Sequence, residues 1–450
     1  GVAPHPNACD VLAADVHLSL EARNFLAMRS FHGGALRHLR ARGLATDVFQ
    51  QQHFNFPKAY EIIGQRTLKN PSRKTEIICT IGPKSWDPEV LAGLIDAGMN
   101  TVRCNMSHGD HAEQTMKLQN LEKAYQLRPE AAGTIKVLMD TRGPEIRTGY
   151  FEVYNEKKKP DSSGAAIPGG LRVAPTAGTF GTPPLVGKLK AGQSFRLLTD
   201  YSVKGDETQV AITYKELPQD VAPGQHILLQ DGTVILEVTG TGPDYVDTKV
   251  LNDGRLGEKK NVNVPGVKIN LPVVDEREIH DIVNWAKPHK AHYIALSFVQ
   301  SAQDIRDCRK HSAADTKIIA KIENVEGLRH FDEILREADG IMVARGDLGM
   351  EIPIERIWMA QKMMIKRCKE AGKLVVTATE MLASMEDKPF PTRAEACDVA
   401  NAVLDGSDMV MLSGEVANGA FPVQTCAMMR RIIEEAEHAL ELDSSHSVFT

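Results

Sequence analysis

The sequence lacks several features that would assign it to a particular class of protein. It has no run of about 18 apolar residues, so no segment is predicted to span a membrane. Basic residues are not in excess, because 53 Lys and Arg stand against 59 Asp and Glu, which argues against nucleic acid as the partner. The seven cysteines form no CxxC pair. That pattern favours free thiols in a reducing compartment over disulfides or a zinc site.

Two common nucleotide-binding motifs are also missing. The chain contains neither GxxxxGK[ST] nor GxGxxG, which excludes a P-loop and a Rossmann nucleotide binder. The histidines show no metal-ligand spacing, and only His108 lies near the end of a predicted strand. Any phosphate-binding site must therefore be built in another way.

Residues 1–72 differ in composition from the rest of the chain. Five arginines and no acidic residue lie between Arg23 and Thr46, a composition that resembles an organellar transit peptide. The alternative is an N-terminal extension that is poorly ordered or partly helical. A transit peptide predicts a plastid or a mitochondrion, whereas the free cysteines favour a cytoplasmic location.

A repeating pattern begins after residue 72. Eight short β-branched runs alternate with amphipathic helical stretches, which predicts a (β/α)8 TIM barrel formed by residues 73–148 and 263–442. The predicted strands are 77–81, 101–105, 135–140, 293–298, 317–321, 340–344, 373–379 and 409–413. The predicted helices are 87–97, 110–126, 276–287, 302–311, 325–337, 354–371, 392–404 and 423–440.

Residues 149–262 interrupt this pattern. They are rich in Gly and Pro and show no helical periodicity, which predicts an all-β barrel inserted after the third barrel strand. Residues 155–170 are predicted to form a flexible loop, and residues 443–450 a tail. The strand signals of the insertion are 195–198, 208–214, 227–238 and 245–251.

Charged or polar residues follow six of the eight predicted barrel strands. Active sites of such barrels lie at these carboxyl ends, and a charge there is costly unless it is paired, hydrated or bound. Glu323 and Asp347 suit Mg²⁺ or Mn²⁺, because both are hard oxygen ligands. Lys321 and Arg103 suit an anionic or phosphorylated substrate. A monovalent cation is compatible with the oxygens of Asn105, Ser107, Asp140 and Thr141.

Long motifs in the chain resemble the pyruvate kinase family. They spread over roughly residues 73 to 440, and the family fold, a (β/α)8 barrel with an inserted β-barrel lid, agrees with the pattern above. The motifs are IICTIGPKS (77–85), TVRCNMSHG (101–109), LMDTRGPEIRTG (138–149), KIENVEG (321–327), MVARGDLGMEIP (342–353), PTRAEACDVANAVLDGSD (391–408) and MLSGEVANGAFP (411–422).

The resemblance implies transfer of a phosphoryl group from phosphoenolpyruvate to ADP, giving pyruvate and ATP. Arg103 would contact the phosphoryl group and Lys321 would neutralise its charge. Gly346 would contact the substrate, and Thr379 would assist protonation of the enolate. The resemblance assigns Glu323 and Asp347 to the divalent metal, and Asn105, Ser107, Asp140 and Thr141 to K⁺. It assigns nucleotide contacts to Asn105, Met106, Ser107, His108, Arg147 and Lys260.

Three further expectations concern how this chain compares with the family. Glu145 stands where K⁺-dependent members carry Glu, so K⁺ dependence is expected. Glu380 replaces the usual Gln beside Thr379. The chain stops soon after the eighth barrel helix, so the family's C-terminal domain and its effector site are expected to be absent. Without that domain, the chain could still form a homo-oligomer through the barrel, whereas the family's usual tetramer is not predicted from the sequence.

Two other functions compete with an active kinase. A non-catalytic or regulatory homologue would lack turnover, although every matched catalytic position is intact. A different Mg²⁺-dependent barrel enzyme acting on phosphoenolpyruvate or pyruvate, such as an aldolase, would explain the two carboxylates. It would not explain the inserted domain or the residues suited to a monovalent cation.

Overall fold

A computed structural model of the chain describes residues 73–151 and 186–447. The predicted N-terminal extension and the predicted loop 155–170 lie outside the described residues. In chain order the strands are β1 (Glu76–Thr80), β2 (Thr101–Asn105), β3 (Lys136–Asp140), β4 (Val186–Leu189), β5 (Ser194–Leu198), β6 (Gln209–Ala211), β7 (His226–Leu229), β8 (Val234–Thr241), β9 (Tyr245–Val250), β10 (Gly254–Gly257), β11 (Val262–Asn263), β12 (Tyr293–Leu296), β13 (Lys317–Ile322), β14 (Gly340–Ala344), β15 (Leu374–Ala378) and β16 (Met409–Leu412).

Eight parallel strands close into a barrel in the order β1-β16-β15-β14-β13-β12-β3-β2, which confirms the predicted fold. Parallel strands in this order place all their carboxyl ends at one mouth of the barrel. The strand register brings the strand ends next to one another at this mouth: Asn105 at the end of β2 lies opposite Asp140 at the end of β3. Strand β12 likewise brings Ala295 opposite Asp140. The strand-end side chains are therefore neighbours.

Helices cover the outside of the barrel, and local caps set where several of them begin. The Asp87 side chain accepts a hydrogen bond from the Glu89 amide at 3.0 Å, with Pro88 at the first helical position. A capping box of Thr392 and Glu395 starts a later helix. The helices are Pro88–Ala97, His111–Leu127, Leu217–Asp220, Glu276–Asp281, Ala302–His311, Val325–Arg329, Phe331–Glu337, Arg345–Glu351, Ile357–Glu370, Arg393–Leu404, Gly414–Ala417 and Pro422–Ser447.

Two short helices, Arg345–Glu351 and Gly414–Ala417, were not predicted, and three of the predicted helices differ in detail. The predicted helix 276–287 becomes π-helical over Ile282–Ala286. The predicted helix 325–337 breaks at His330, where the backbone leaves the helical region. The last helix continues to Ser447, into the predicted tail.

Two apolar layers hold the barrel together. One fills its interior, with Ile78, Leu138, Ile319 and Met342 among its buried side chains. The other lies between the strands and the surrounding helices and includes the buried Trp285. Alternate residues of each strand serve the two layers, as the pleat requires. The strands are thus buried on both faces, which leaves their carboxyl ends as the place for polar groups.

The described part of the insertion is all-β apart from the four-residue helix Leu217–Asp220, as predicted. Among the described residues its strands form a six-stranded sheet in the order β11-β7-β8-β9-β5-β6 and a two-stranded ribbon, β10 with β4. The predicted strand 227–238 is two strands, because Gln230, Asp231 and Gly232 all have positive φ and reverse the chain. The insertion has a separate apolar core, which includes Phe195 and Leu236.

Two further sequence predictions can be compared with the structure. Within residues 73–151 and 186–447, no helix is both long and apolar enough to cross a membrane. The six cysteines of the described part are free, and five of them are buried. This agrees with the prediction of free thiols.

Candidate active site

The centre of the barrel mouth is a buried network of opposite charges. Asp140, at the end of β3, accepts a hydrogen bond from Arg103 Nε at 2.7 Å and one from Lys321 Nζ at 2.9 Å. Arg103 also donates to the Thr80 hydroxyl at 2.9 Å. Asp140 is 1% exposed, Lys321 8% and Arg103 9%. Four strands therefore supply one cluster in which two cations share a carboxylate.

The network fixes the charge of its members. Burial alone would raise the pKa of Asp140, but the charges of Arg103 and Lys321 outweigh burial and lower it. Burial would likewise lower the pKa of Lys321, and the charges of Asp140 and Glu323 raise it instead. Lys321 is therefore positively charged, and its carboxylate neighbours fix the position of its amine group. Such a group stabilises developing negative charge without having to reorganise.

Glu323 and Asp347 form a pair of carboxylates beside this network. Glu323 is 1% exposed, lies 3.0 Å from Lys321 Nζ and accepts the Phe298 amide at 2.6 Å. Burial raises the pKa of Glu323 to about 7, and the charge of Asp347 adds to this rise. Burial also raises the pKa of Asp347, just after the end of the neighbouring strand β14. Two neighbouring carboxylates with raised pKa values fit a divalent cation, whose charge would offset the cost of ionising both.

The four residues predicted for a monovalent cation also lie together. Asn105 is opposite Asp140 in the register, and its side-chain oxygen accepts the Ser107 amide at 3.0 Å. The Thr141 hydroxyl accepts the Ser297 amide at 2.9 Å. Neutral oxygens next to one carboxylate are a donor set that fits K⁺. Met106, between Asn105 and Ser107, is 1% exposed, so its side chain belongs to the core.

Gly346 and Thr379 lie side by side, just after the ends of the neighbouring strands β14 and β15. A Cβ on Gly346 would lie 2.8 Å from Thr379 Cγ2, closer than side chains tolerate. Thr379 has a φ of 76°, a costly conformation for a β-branched residue. Arg345 stabilises it, because its guanidinium donates to the Thr379 carbonyl at 2.6 Å and to Asp398 at 2.6 Å.

The remaining predicted residues lie where the barrel meets the insertion. Arg147 is paired with Glu145 and donates to the Lys259 carbonyl at 2.9 Å. The Lys260 amide donates to the Thr148 hydroxyl at 2.8 Å. His108 is exposed at the end of the motif that follows β2. A cleft opens at this junction, and both Glu145 and Asp347 line it.

A family model described as pyruvate kinase, barrel domain, matches residues 72–164 and 177–426. The chain belongs to the pyruvate kinase family. Pyruvate kinase of Eimeria tenella is 49% identical over 373 residues, which are 82% of this chain and 64% of that protein. The cytosolic isozyme of Glycine max is 46% identical over 82% of this chain and 66% of its own length.

A solved structure agrees with these relatives. Cryptosporidium parvum pyruvate kinase in complex with ADP matches with a TM-score of 0.71 and 44% identity, covering 84% of this chain and 71% of that one. The chain thus spans just under two thirds of the length of the Eimeria and Glycine relatives.

Three residues of this pyruvate kinase family site were not found by sequence reasoning. Ser297 donates to the Thr141 carbonyl at 2.8 Å and accepts from Lys321 at 2.7 Å. Arg345 holds Thr379, and buried Glu278 accepts the Gly143 amide at 3.2 Å. Ser297 and Arg345 each directly follow a barrel strand, which was the available signal. Glu278 lies on a helix, so nothing local marked it.

Replacing Gly346 with alanine is expected to displace Thr379 and lower activity. The added methyl would meet Thr379 Cγ2 at 2.8 Å, and such overpacking costs about 1–3 kcal/mol. Gly349→Ala in the same helix is the matched control, because its Cβ would have no neighbour nearer than 3.7 Å. Urea unfolding and steady-state kinetics of both variants test this. Equal stability and equal activity of the two variants would show that the Gly346–Thr379 contact does not affect function.

Proposed function

We propose that this chain catalyses phosphoryl transfer from phosphoenolpyruvate to ADP, giving pyruvate and ATP. The observation that supports this most directly is the buried network of Arg103, Asp140, Lys321 and Glu323 at the barrel mouth. It provides fixed cations beside carboxylates in one cavity, in a chain of the pyruvate kinase family. Phosphoryl transfer depends mainly on positioning and on stabilising charge, which such a network supplies.

Four residues at the barrel mouth have distinct proposed roles. Arg103, held by Asp140 and Thr80, binds the phosphoryl group of the substrate. Lys321 neutralises the charge that moves with this group. The Gly346 backbone positions the substrate near the enolate carbon. Thr379, fixed by Arg345, assists protonation of the enolate at its methylene carbon.

Metal ions are part of this proposal. Glu323 and Asp347 would hold Mg²⁺ or Mn²⁺, and Asn105, Ser107, Asp140 and Thr141 would hold K⁺. A divalent ion at this position supplies charge neutralisation between enolate and phosphate oxygens. The two carboxylates just after the ends of the neighbouring strands β13 and β14 support the divalent site.

The nucleotide is proposed to bind where barrel and insertion meet. Asn105, Ser107, His108, Arg147 and Lys260 would contact ADP, and Met106 would contribute only its backbone. The proposed lid comprises residues 149–262, between barrel segments 73–148 and 263–442. Its closure would exclude water during transfer. The solved Cryptosporidium relative in complex with ADP supports nucleotide binding within this family. We also propose a cytosolic location, supported by similarity to a cytosolic isozyme.

The decisive experiment is an assay of the purified chain for ATP formation. Turnover should require phosphoenolpyruvate, ADP, Mg²⁺ and K⁺ together. Pyruvate formation, measured in the same samples, should match ATP in amount. A folded sample that binds these ligands but does not turn over would instead identify a non-catalytic homologue.

Glu145→Lys is expected to weaken the requirement for K⁺. Glu145 lines the cleft and is paired with Arg147, so a lysine there would place a fixed positive charge near the proposed cation site. Activity with and without K⁺ gives the relevant ratio, which should fall towards unity. Glu145→Gln removes the same carboxylate without adding a cation and should keep the dependence. A Glu145→Lys variant as K⁺-dependent as the parent would contradict the assignment.

A further inference from the structure

We propose that His111, His280 and Asp281 form an accessory site for a transition metal of the zinc class, separate from the proposed catalytic metal site. The ligand atoms of these three residues all lie within 4.8 Å of one another. His111 Nε2 lies 2.6 Å from Asp281 Oδ1, and His280 Nδ1 lies 3.8 Å from the same oxygen. The two imidazole rings are stacked, with centroids 5.1 Å apart.

A second observation points to a ligand at this cluster. Asp281 is 4% exposed, and its Oδ2 has no hydrogen-bond partner among the described residues. A buried carboxylate oxygen without a hydrogen bond is costly. Arg142 Nε lies 3.4 Å from Oδ2 and also lacks a hydrogen bond, so the guanidinium balances the charge without satisfying the oxygen. The two imidazoles lie nearest to Oδ1, so a metal ion beside them would satisfy Oδ2 when the carboxylate binds it through both oxygens.

The donor types select the kind of metal. Two imidazoles and one carboxylate suit Zn²⁺, Co²⁺ or Ni²⁺, whereas Mg²⁺ prefers oxygen ligands only. Three protein ligands leave a fourth, open position for water. His280 is 63% exposed, so a metal can enter and the ring can turn to meet it. Zinc ligands lie about 2.0–2.1 Å from the metal, so modest movement of the exposed His280 completes the site.

The position of the cluster gives metal binding a structural consequence. His111 begins the helix that follows the Asn105–His108 motif, and Asp281 ends the helix whose Glu278 accepts the Gly143 amide. Both segments support residues of the proposed active site. A bound metal would therefore join the segment after β2 to the helix that supports the segment after β3.

Isothermal titration with Zn²⁺ in an excess of Mg²⁺ tests this, because Mg²⁺ occupies sites made only of oxygen ligands. The parent chain should bind one Zn²⁺ that His280→Ala weakens at least about tenfold. His226→Ala, which removes an exposed histidine of the insertion, should leave this affinity unchanged. His111→Gln should weaken Zn²⁺ binding in the same direction as His280→Ala, and thermal unfolding verifies that each variant is folded.

Cobalt gives an independent spectroscopic readout. Co²⁺ bound to two imidazoles and a carboxylate should show visible absorption bands that Zn²⁺ abolishes, and these bands should be missing in His280→Ala. Zn²⁺ affinity that is equal in the parent and in His280→Ala, or no Zn²⁺ binding by the parent, would overturn the proposal. Zn²⁺ bound at other histidines of the chain would give equal affinity in the parent and in His280→Ala.

Discussion

Replacing Lys321 with methionine is expected to lower phosphoryl transfer from phosphoenolpyruvate by about a hundredfold to a thousandfold. The Nζ atom lies within 3.0 Å of Asp140, Ser297 and Glu323, so the cation is held in one position by three partners. Methionine fills a similar volume but supplies no charge. The developing negative charge on the transferred group would then lack its fixed cation, while Arg103 would still bind the ground state. The fall should therefore be in kcat more than in KM.

Stability must be measured beside activity in this variant. Removing one partner of a buried ion pair leaves an uncompensated charge and costs about 3–5 kcal/mol. Lys317→Met, at the exposed start of the same strand, is the matched control and should change neither property greatly. The kinetic assays of Lys321→Met should be run at a temperature well below the midpoint of its thermal unfolding. A folded Lys321→Met variant with near-normal kcat would show that Lys321 has no part in the transfer.

The location of the charged network could be predicted from sequence because it depends on one geometric rule. Parallel strands of a closed barrel end at the same mouth, so Arg103, Asp140, Lys321 and Glu323 had to be neighbours once their strands were identified. Each strand is a short β-branched run between helical segments, a pattern strong enough to locate it. Which side chains pair with which was not predictable, since this depends on the rotations and register that the closed barrel sets.

The features that sequence reasoning missed have physical causes. Helix Arg345–Glu351 contains two glycines and starts directly after β14, so it has no apolar periodicity to reveal it. The reversal at Gln230–Gly232 contains an Asp-Gly pair, a hairpin signal that the strand-forming residues on both sides of it outweighed in the sequence pattern. His111 and His280 are far apart in the chain, so no spacing could reveal that Asp281 brings them together.

Glu323→Gln is expected to remove most of the affinity for Mg²⁺ and to lower phosphoryl transfer by about a hundredfold or more. Glutamine has the same shape and can still accept the Phe298 amide, which Glu323 accepts at 2.6 Å. It lacks the negative charge that, with Asp347, fits a divalent ion.

Thermal unfolding with and without Mg²⁺ separates loss of metal binding from loss of fold. Mg²⁺ should raise the unfolding temperature of the parent, because a ligand that binds only the folded state stabilises it. This rise should vanish in Glu323→Gln, whereas Glu337→Gln, which alters an exposed carboxylate paired with Arg306, should retain it. In EDTA, Glu323→Gln should unfold close to the parent, since it loses a carboxylate that is costly to ionise without a metal. A Glu323→Gln variant that Mg²⁺ still stabilises fully would place the divalent ion elsewhere.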